Sequence, residues 1–146
     1  MTIHKSFGLD PNFCCMRTNL MAFDHQGNKL GHIEDPWRCC AMDQKIYDTD
    51  GNQIFGAEGS ICQIGIFLPC CGAVEFDLTD ANGQPSDGKI AKIFGGCGEI
   101  MAGTNKFRIN FPTGATAAHK MILLANTMMI DFQYFEKQKK GGGMNN

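Results

Sequence analysis

The longest apolar run, Ala117 to Phe135 (AAHKMILLANTMMIDFQYF), limits most strongly what this chain can fold into. From Met121 to Ile130 no residue is charged, and only Asn126 and Thr127 are polar. A helix that is apolar on every side has to be buried, in protein or in a bilayer. Length favours protein. A spanning helix takes about 20 mostly apolar residues, whereas runs of about 10–14 read as core helices. At about 1.5 Å per residue, Met121 to Ile130 covers about half of a hydrocarbon layer. Extending the run to Phe135 brings in Asp131, at about 3 kcal/mol if it sits at the centre of the bilayer. The expectation is a core helix over 116–136. Its apolar set is Met121, Ile122, Leu123, Leu124, Met128, Met129, Ile130, Phe132 and Phe135.

What precedes the run reads as β-hairpins. Leu20–Phe23 and Lys29–Ile33 flank Asp24-His25-Gln26-Gly27-Asn28. Lys45–Tyr47 and Gln53–Phe55 flank Asp48-Thr49-Asp50-Gly51-Asn52. Val74–Leu78 and Lys89–Ile93 flank a loop from Thr79 to Gly88. Gly next to Asn or Asp between apolar runs marks hairpins, because these residues tolerate positive φ. Ile61–Leu68, stopped by Pro69, and the alternating Phe107, Ile109 and Phe111 add further strands. After the run, Ile130, Phe132 and Tyr134 alternate as a strand would, while Lys137, Lys139, Lys140 and Gly141 suit a helix end. The fold expected is mainly β, about seven to nine strands around the C-terminal helix. One domain covers residues 1–136, with an N-terminal arm at 1–13 and a flexible tail at 137–146.

Composition narrows the function classes. Lys and Arg are scattered and balanced by Asp and Glu at a net charge of −2, which points away from nucleic acid. The N-terminal residues lack the apolar core of a secretory signal, so the cytosol is the default compartment and thiols are expected reduced. Six of the eight cysteines form vicinal pairs, Cys14-Cys15, Cys39-Cys40 and Cys70-Cys71. Vicinal residues on a strand point to opposite faces and do not chelate one ion together. They read as small core residues or, where exposed, as S-acylation sites.

Sequence signals for chemistry are weak. Asp48-Thr49-Asp50-Gly51-Asn52 has calcium-like carboxylates, but Gly falls at the fourth position and the twelfth is Gly59, so a turn is the better reading. Asp77, Asp80 and Asp87 read as solvated loop residues. His4, His25, His32 and His119 form no metal or hydrolase pattern, and no enzyme activity is expected.

Four further pieces occur in order: Cys70-Cys71-Gly72-x-Val74-x-Phe76, Gly88-Lys89-Ile90-x-Lys92, Phe107-x-Ile109-x-Phe111-Pro112 and Ile130-Asp131-Phe132-x-x-Phe135-Glu136. With them the chain resembles the phospholipid scramblase family from about Cys14 to Glu136. The resemblance implies a Tubby-like twisted barrel around the C-terminal hydrophobic helix, incomplete here because the N-terminal side is short. It implies ATP-independent, bidirectional, calcium-activated movement of phospholipids between membrane leaflets. The alternative on the same fold is a membrane-associated lipid- or protein-binding scaffold without transport. The location implied is the cytosolic face of the plasma membrane, with Cys14 and Cys15 as palmitoylated anchors. An open sheet edge implies possible homo-oligomers. The family's Ca²⁺ segment corresponds to Gly103–Gly114, where only Asn105 offers a side-chain oxygen at the carboxylate positions Gly103, Asn105 and Gly114. Calcium wants about 6–8 oxygens, several of them anionic, so weak or absent binding is expected there.

Overall fold

The computed structural model describes residues 1–9, 16–36, 41–67, 72–94 and 106–135. Eight antiparallel strands form one meander: β1 (Thr2–Leu9), β2 (Met16–Phe23), β3 (Lys29–Glu34), β4 (Gln44–Tyr47), β5 (Gln53–Glu58), β6 (Val74–Thr79), β7 (Pro85–Ile93) and β8 (Lys106–Asn110). Sheet order equals chain order, so among the described residues β1 and β8 are edges and the sheet is not closed. A helical turn α1 (Ile64–Phe67) lies between β5 and β6. The chain then enters helix α2 (Ala117–Ile130), which passes into a π-helical turn over Asp131–Phe135.

Three hairpins repeat one turn chemistry. Asp24 Oδ1 accepts the backbone N–H groups of Gln26 and Asn28, at 2.8 and 2.9 Å. Asp48 does the same for Asp50 and Asn52, and Asp80 for Asn82 and Gln84. Three residues on, Gly27, Gly51 and Gly83 adopt φ of 86°, 85° and 75°, which closes each turn. Hydrogen bonds to Asn28 hold the Asp24 carboxyl below its usual range, and those to Asn52 do the same for Asp48. The third turn spans only Asp80–Gln84, because Pro85 already pairs with Thr79 in the ladder. This shortens the loop expected at Thr79–Gly88.

Period-2 alternation turns one apolar face inward. Leu20, Ile33, Ile46 and Phe55 are successive cross-strand partners, and all four are buried. Phe76, Ile90 and Ile109 continue the face across β6, β7 and β8. Helix α2 lies against this face. It begins at the end of the sheet that carries the three Asp turns and runs toward the opposite end. Asp87 fixes the entry by accepting the N–H (2.9 Å) and the hydroxyl of Thr113. Thr116 then caps the helix, its hydroxyl accepting the His119 N–H while His119 Nδ1 accepts the Thr116 N–H.

Two regions differ from the sequence expectation. Residues 1–13 were expected as an arm, but Thr2–Leu9 pairs along its whole length with β2. Ile61–Leu68 was expected as a strand, yet residues 64–67 are helical. The cause is Gln63, whose amide accepts the Glu75 N–H and donates to the Glu75 carbonyl, each at 2.7 Å. One side chain thus satisfies the backbone groups of β6 that another strand would have taken. Gly65 also packs so closely that a Cβ would lie 2.6 Å from the Ala73 carbonyl oxygen. The cysteine pairs, Trp37, the loop at Gly95–Gly98 and the tail at 137–146 lie outside the described residues.

Gly31 sets how near α2 approaches β3. At φ 151° it has no side chain where a Cβ would strike the Tyr47 carbonyl oxygen and come within 2.5 Å of Ile122 Cδ1. Gly31→Ala is expected to destabilise the fold by about 2 kcal/mol or more, from backbone strain and overpacking. Urea unfolding checks this, and a midpoint equal to that of the unaltered chain would contradict it.

Candidate functional site

The core-facing side of α2 carries Ile122, Leu123, Ala125, Met129 and Ile130, all buried. Asn126 joins them at 0 % exposure, with no protein hydrogen bond to either side-chain atom. Thr127 donates its hydroxyl to the Leu123 carbonyl at 3.0 Å. The opposite side is different. Leu124, Met128 and Phe132 are 45 %, 42 % and 39 % exposed, and Met121 is half-buried beside them. Spaced four residues apart, they form one stripe about 12 Å long. The sheet leaves this stripe uncovered, and among the described residues it is not closed. The nine apolar positions expected as one set therefore divide. Ile122, Leu123, Met129, Ile130 and Phe135 are core, Leu124, Met128 and Phe132 are surface, and Met121 is half-buried.

At its C-terminal end the helix is fastened by polar groups. Gln133 Nε2 donates to Asp35, and Gln44 Nε2 donates to Gln133 Oε1 at 3.3 Å. Tyr134 stacks on Phe76. Burial, then the Asp35 and Asp43 carboxylates, push its hydroxyl far above the usual tyrosine range. Lys92 is the least expected member. It lies in the inward row between Val74 and Phe107 and is 4 % exposed. Its ammonium sits 3.6 Å from the Phe135 ring centroid, with the Phe94 and Phe107 rings at 5.3 and 5.8 Å. Asp131 Oδ1 lies 3.9 Å away. A cation over aromatic faces beside a carboxylate recovers part of what its burial costs. The π-helical turn brings both Asp131 and Phe135 to it. Sequence reasoning passed over Lys92 because lysines are presumed outside, although it falls in phase with Ile90 on β7.

Other candidate residues are not gathered into a site. Asp77 pairs with Lys89, Asp80 serves its own turn and Asp87 serves Thr113. Lys89 lies between Glu75 and Asp77, which hold its ammonium above the usual range. Among the described residues no three His, Cys, Asp or Glu side chains converge as a metal site. Cys14, Cys15, Gly103 and Asn105 lie outside those residues. The described part of the Gly103–Gly114 segment is largely β8, with Lys106, Arg108 and Asn110 exposed. No helix of the described residues is long and apolar enough to cross a membrane.

Comparison with known proteins matches the Scramblase family model over residues 1–137, nearly the whole chain. The chain belongs to the scramblase family. It is 26 % identical over 137 residues to "Phospholipid scramblase 1" of Homo sapiens, covering 88 % of this chain and 42 % of that protein. It is 24 % identical over 132 residues to "Phospholipid scramblase 2" of Homo sapiens, covering 88 % and 43 %. With "Phospholipid scramblase family member 5" of Homo sapiens it shares 21 % over 143 residues, covering 97 % and 51 %. The chain thus spans about half or less of the length of these scramblase relatives. No solved structure matches. The match extends from β1 through the π-helical turn.

Lys92 and Asp131 differ in burial, and this gives an ordering. Asp131→Asn removes the carboxylate 3.9 Å from the buried ammonium and is expected to cost about 2 kcal/mol or more. Lys92→Met keeps the packing among the phenyl rings and leaves Asp131 where water reaches it, at about 1 kcal/mol or less. Denaturant midpoints of the two variants check the ordering, and the reverse order would contradict it.

Proposed function

We propose that this chain is a phospholipid scramblase-like protein, promoting ATP-independent, bidirectional movement of phospholipids between leaflets. The observation that carries the reading is the exposed stripe Leu124–Met128–Phe132 of an otherwise enclosed helix, in a chain of the scramblase family. The barrier to be lowered is the cost of taking a polar head group through hydrocarbon without hydrogen-bond partners. A stripe seated among acyl chains disturbs their packing. The edges β1 and β8 offer backbone N–H and C=O groups that no further strand among the described residues takes. Head groups passing along those edges would exchange water for backbone partners. The protein makes no covalent bond to the phospholipid that moves in this scheme.

The site of action is the cytosolic face of the plasma membrane, with S-acylation of Cys14 and Cys15 as the anchor. Two acyl chains hold stably where one holds marginally. Calcium is not assigned a step. The exposed side chains of β8 include the cations Lys106 and Arg108, which suit a divalent cation poorly.

The test is reconstitution in liposomes carrying a fluorescent phospholipid, with dithionite added outside. The fraction of lipid quenched is expected to rise above that of protein-free vesicles, equally with and without calcium. No rise would overturn the transport reading and leave a binding scaffold on the same fold. A rise that requires calcium would overturn the calcium assignment.

A further inference from the structure

The outward face of the sheet, away from α2, holds a groove that the lipid reading leaves unused. Ile33, Ile46 and Phe55 point inward, so their neighbours along each strand point out. On that outer side Glu34 pairs with Lys45, Lys45 with Gly56 and Gly56 with Thr79, one row across β3 to β6. Two clefts open along the row. One, of about 210 Å³, is lined by Glu34, Asp35 and Tyr47, and the other, of about 300 Å³, by Asp43, Gly56, Glu58 and Thr79. Pro36 and Lys45 line both. Gly56 keeps the floor of the larger cleft open, because a Cβ there would run into the Thr79 hydroxyl. Thr79 is 4 % exposed, and that hydroxyl has no hydrogen-bond partner among the described residues. The lining of the two clefts includes four carboxylates, of Glu34, Asp35, Asp43 and Glu58, and one ammonium, that of Lys45, for a net charge of −3.

We infer that this groove binds a basic linear peptide segment of another protein, laid across β3 to β6 with one Lys or Arg side chain in each cleft. Clefts lined by one sign of charge focus the field and draw in the opposite sign. An anionic ligand would meet four carboxylates, and a divalent cation finds no cage, because among the described residues no three metal-ligating side chains converge. The spacing suits a peptide better than a single small cation. The clefts sit on either side of Lys45, about two strand spacings or roughly 10 Å apart. Alternate residues of an extended peptide stand about 7 Å apart on one side. Long Lys or Arg side chains supply the remaining reach. A peptide also brings backbone polar groups, one of which would give the Thr79 hydroxyl the partner it lacks. The inference stands apart from lipid movement, since the groove is on the face of the sheet opposite to the helix.

Fluorescence polarisation of the full chain with a labelled hexapeptide tests this, the second and fourth residues of the peptide being arginine and the rest glycine and serine. Binding is expected to be about tenfold or more tighter than to the same peptide with glutamine for both arginines, and to weaken as salt rises well above about 0.1 M. Glu34→Gln and Glu58→Gln should each loosen it by about twofold to fivefold, which is what one exposed ion pair is worth. Glu58 is exposed, so its variant should unfold at the temperature of the unaltered chain. Lys45→Met should tighten binding by a similar factor, because it removes the one like charge between the clefts; at an anion site the same change would loosen it. Equal binding of the glutamine peptide would overturn the proposal. So would a Lys45→Met chain that binds no more tightly, two Gln variants without effect, or a free diamine that competes as well as the arginine peptide. Lys137, Lys139 and Lys140 of this chain carry the same chemistry. If changing all three to Ala raises peptide binding about tenfold or more, the groove serves the chain's own lysines and the partner is refuted.

Discussion

Everything in this fold depends on covering one helix that is apolar around its whole circumference. A helix of this kind contributes stability only where something displaces water from it. Eight strands displace water from most of α2 and stop short of the rest. The Leu20–Ile33–Ile46–Phe55 row and its continuation through Phe76 and Ile90 form a continuous apolar face for the helix to rest on. Gly31 supplies the close approach, and Asp87, Thr113 and Thr116 set the entry. What remains is the stripe at Leu124, Met128 and Phe132, and the functional reading rests on that remainder.

The opposite end shows what the arrangement costs. Lys92 is inside because the pleat of β7 puts it there, in phase with Ile90. Part of the cost of its burial is offset because the π-helical turn brings Asp131 and Phe135 to it. Asn126 has no such relief among the described residues, and an unpartnered buried amide costs on the order of 1–3 kcal/mol. The surrounding apolar burial has to exceed that. Gln133, Asp35 and Gln44 meanwhile tie the helix end to the loop after β3 and to β4. An element fastened at both ends in this way is a fixed core with one face showing.

Much of this was legible in the residues. The Asp turns announced themselves through Gly at a fixed place beside Asn or Gln, because only such residues meet the backbone geometry. Their apolar flanks had the right period, and the run at Ala117–Phe135 was too short and too interrupted by Asp131 to be a span. Other features depended on partners distant in sequence. Gln63 turned the apolar stretch after it away from strand geometry by bonding to Glu75, twelve residues on. Thr2–Leu9 became a strand by pairing with β2. The division of the helix into buried and exposed sides could not be read from its composition, because every side is apolar and the sheet alone decides which is left open.

The claim on which the rest stands is that α2 is part of the folded core even though one face is exposed. Native-state amide hydrogen exchange tests it most directly. The amides from Leu123 to Ile130 should exchange only through global unfolding, as slowly as those of Ile33 and Ile46 in the centre of the sheet. Exchange of the helix amides at a clearly lower free energy, with the strands still protected, would show that the helix leaves the sheet on its own and would contradict this account.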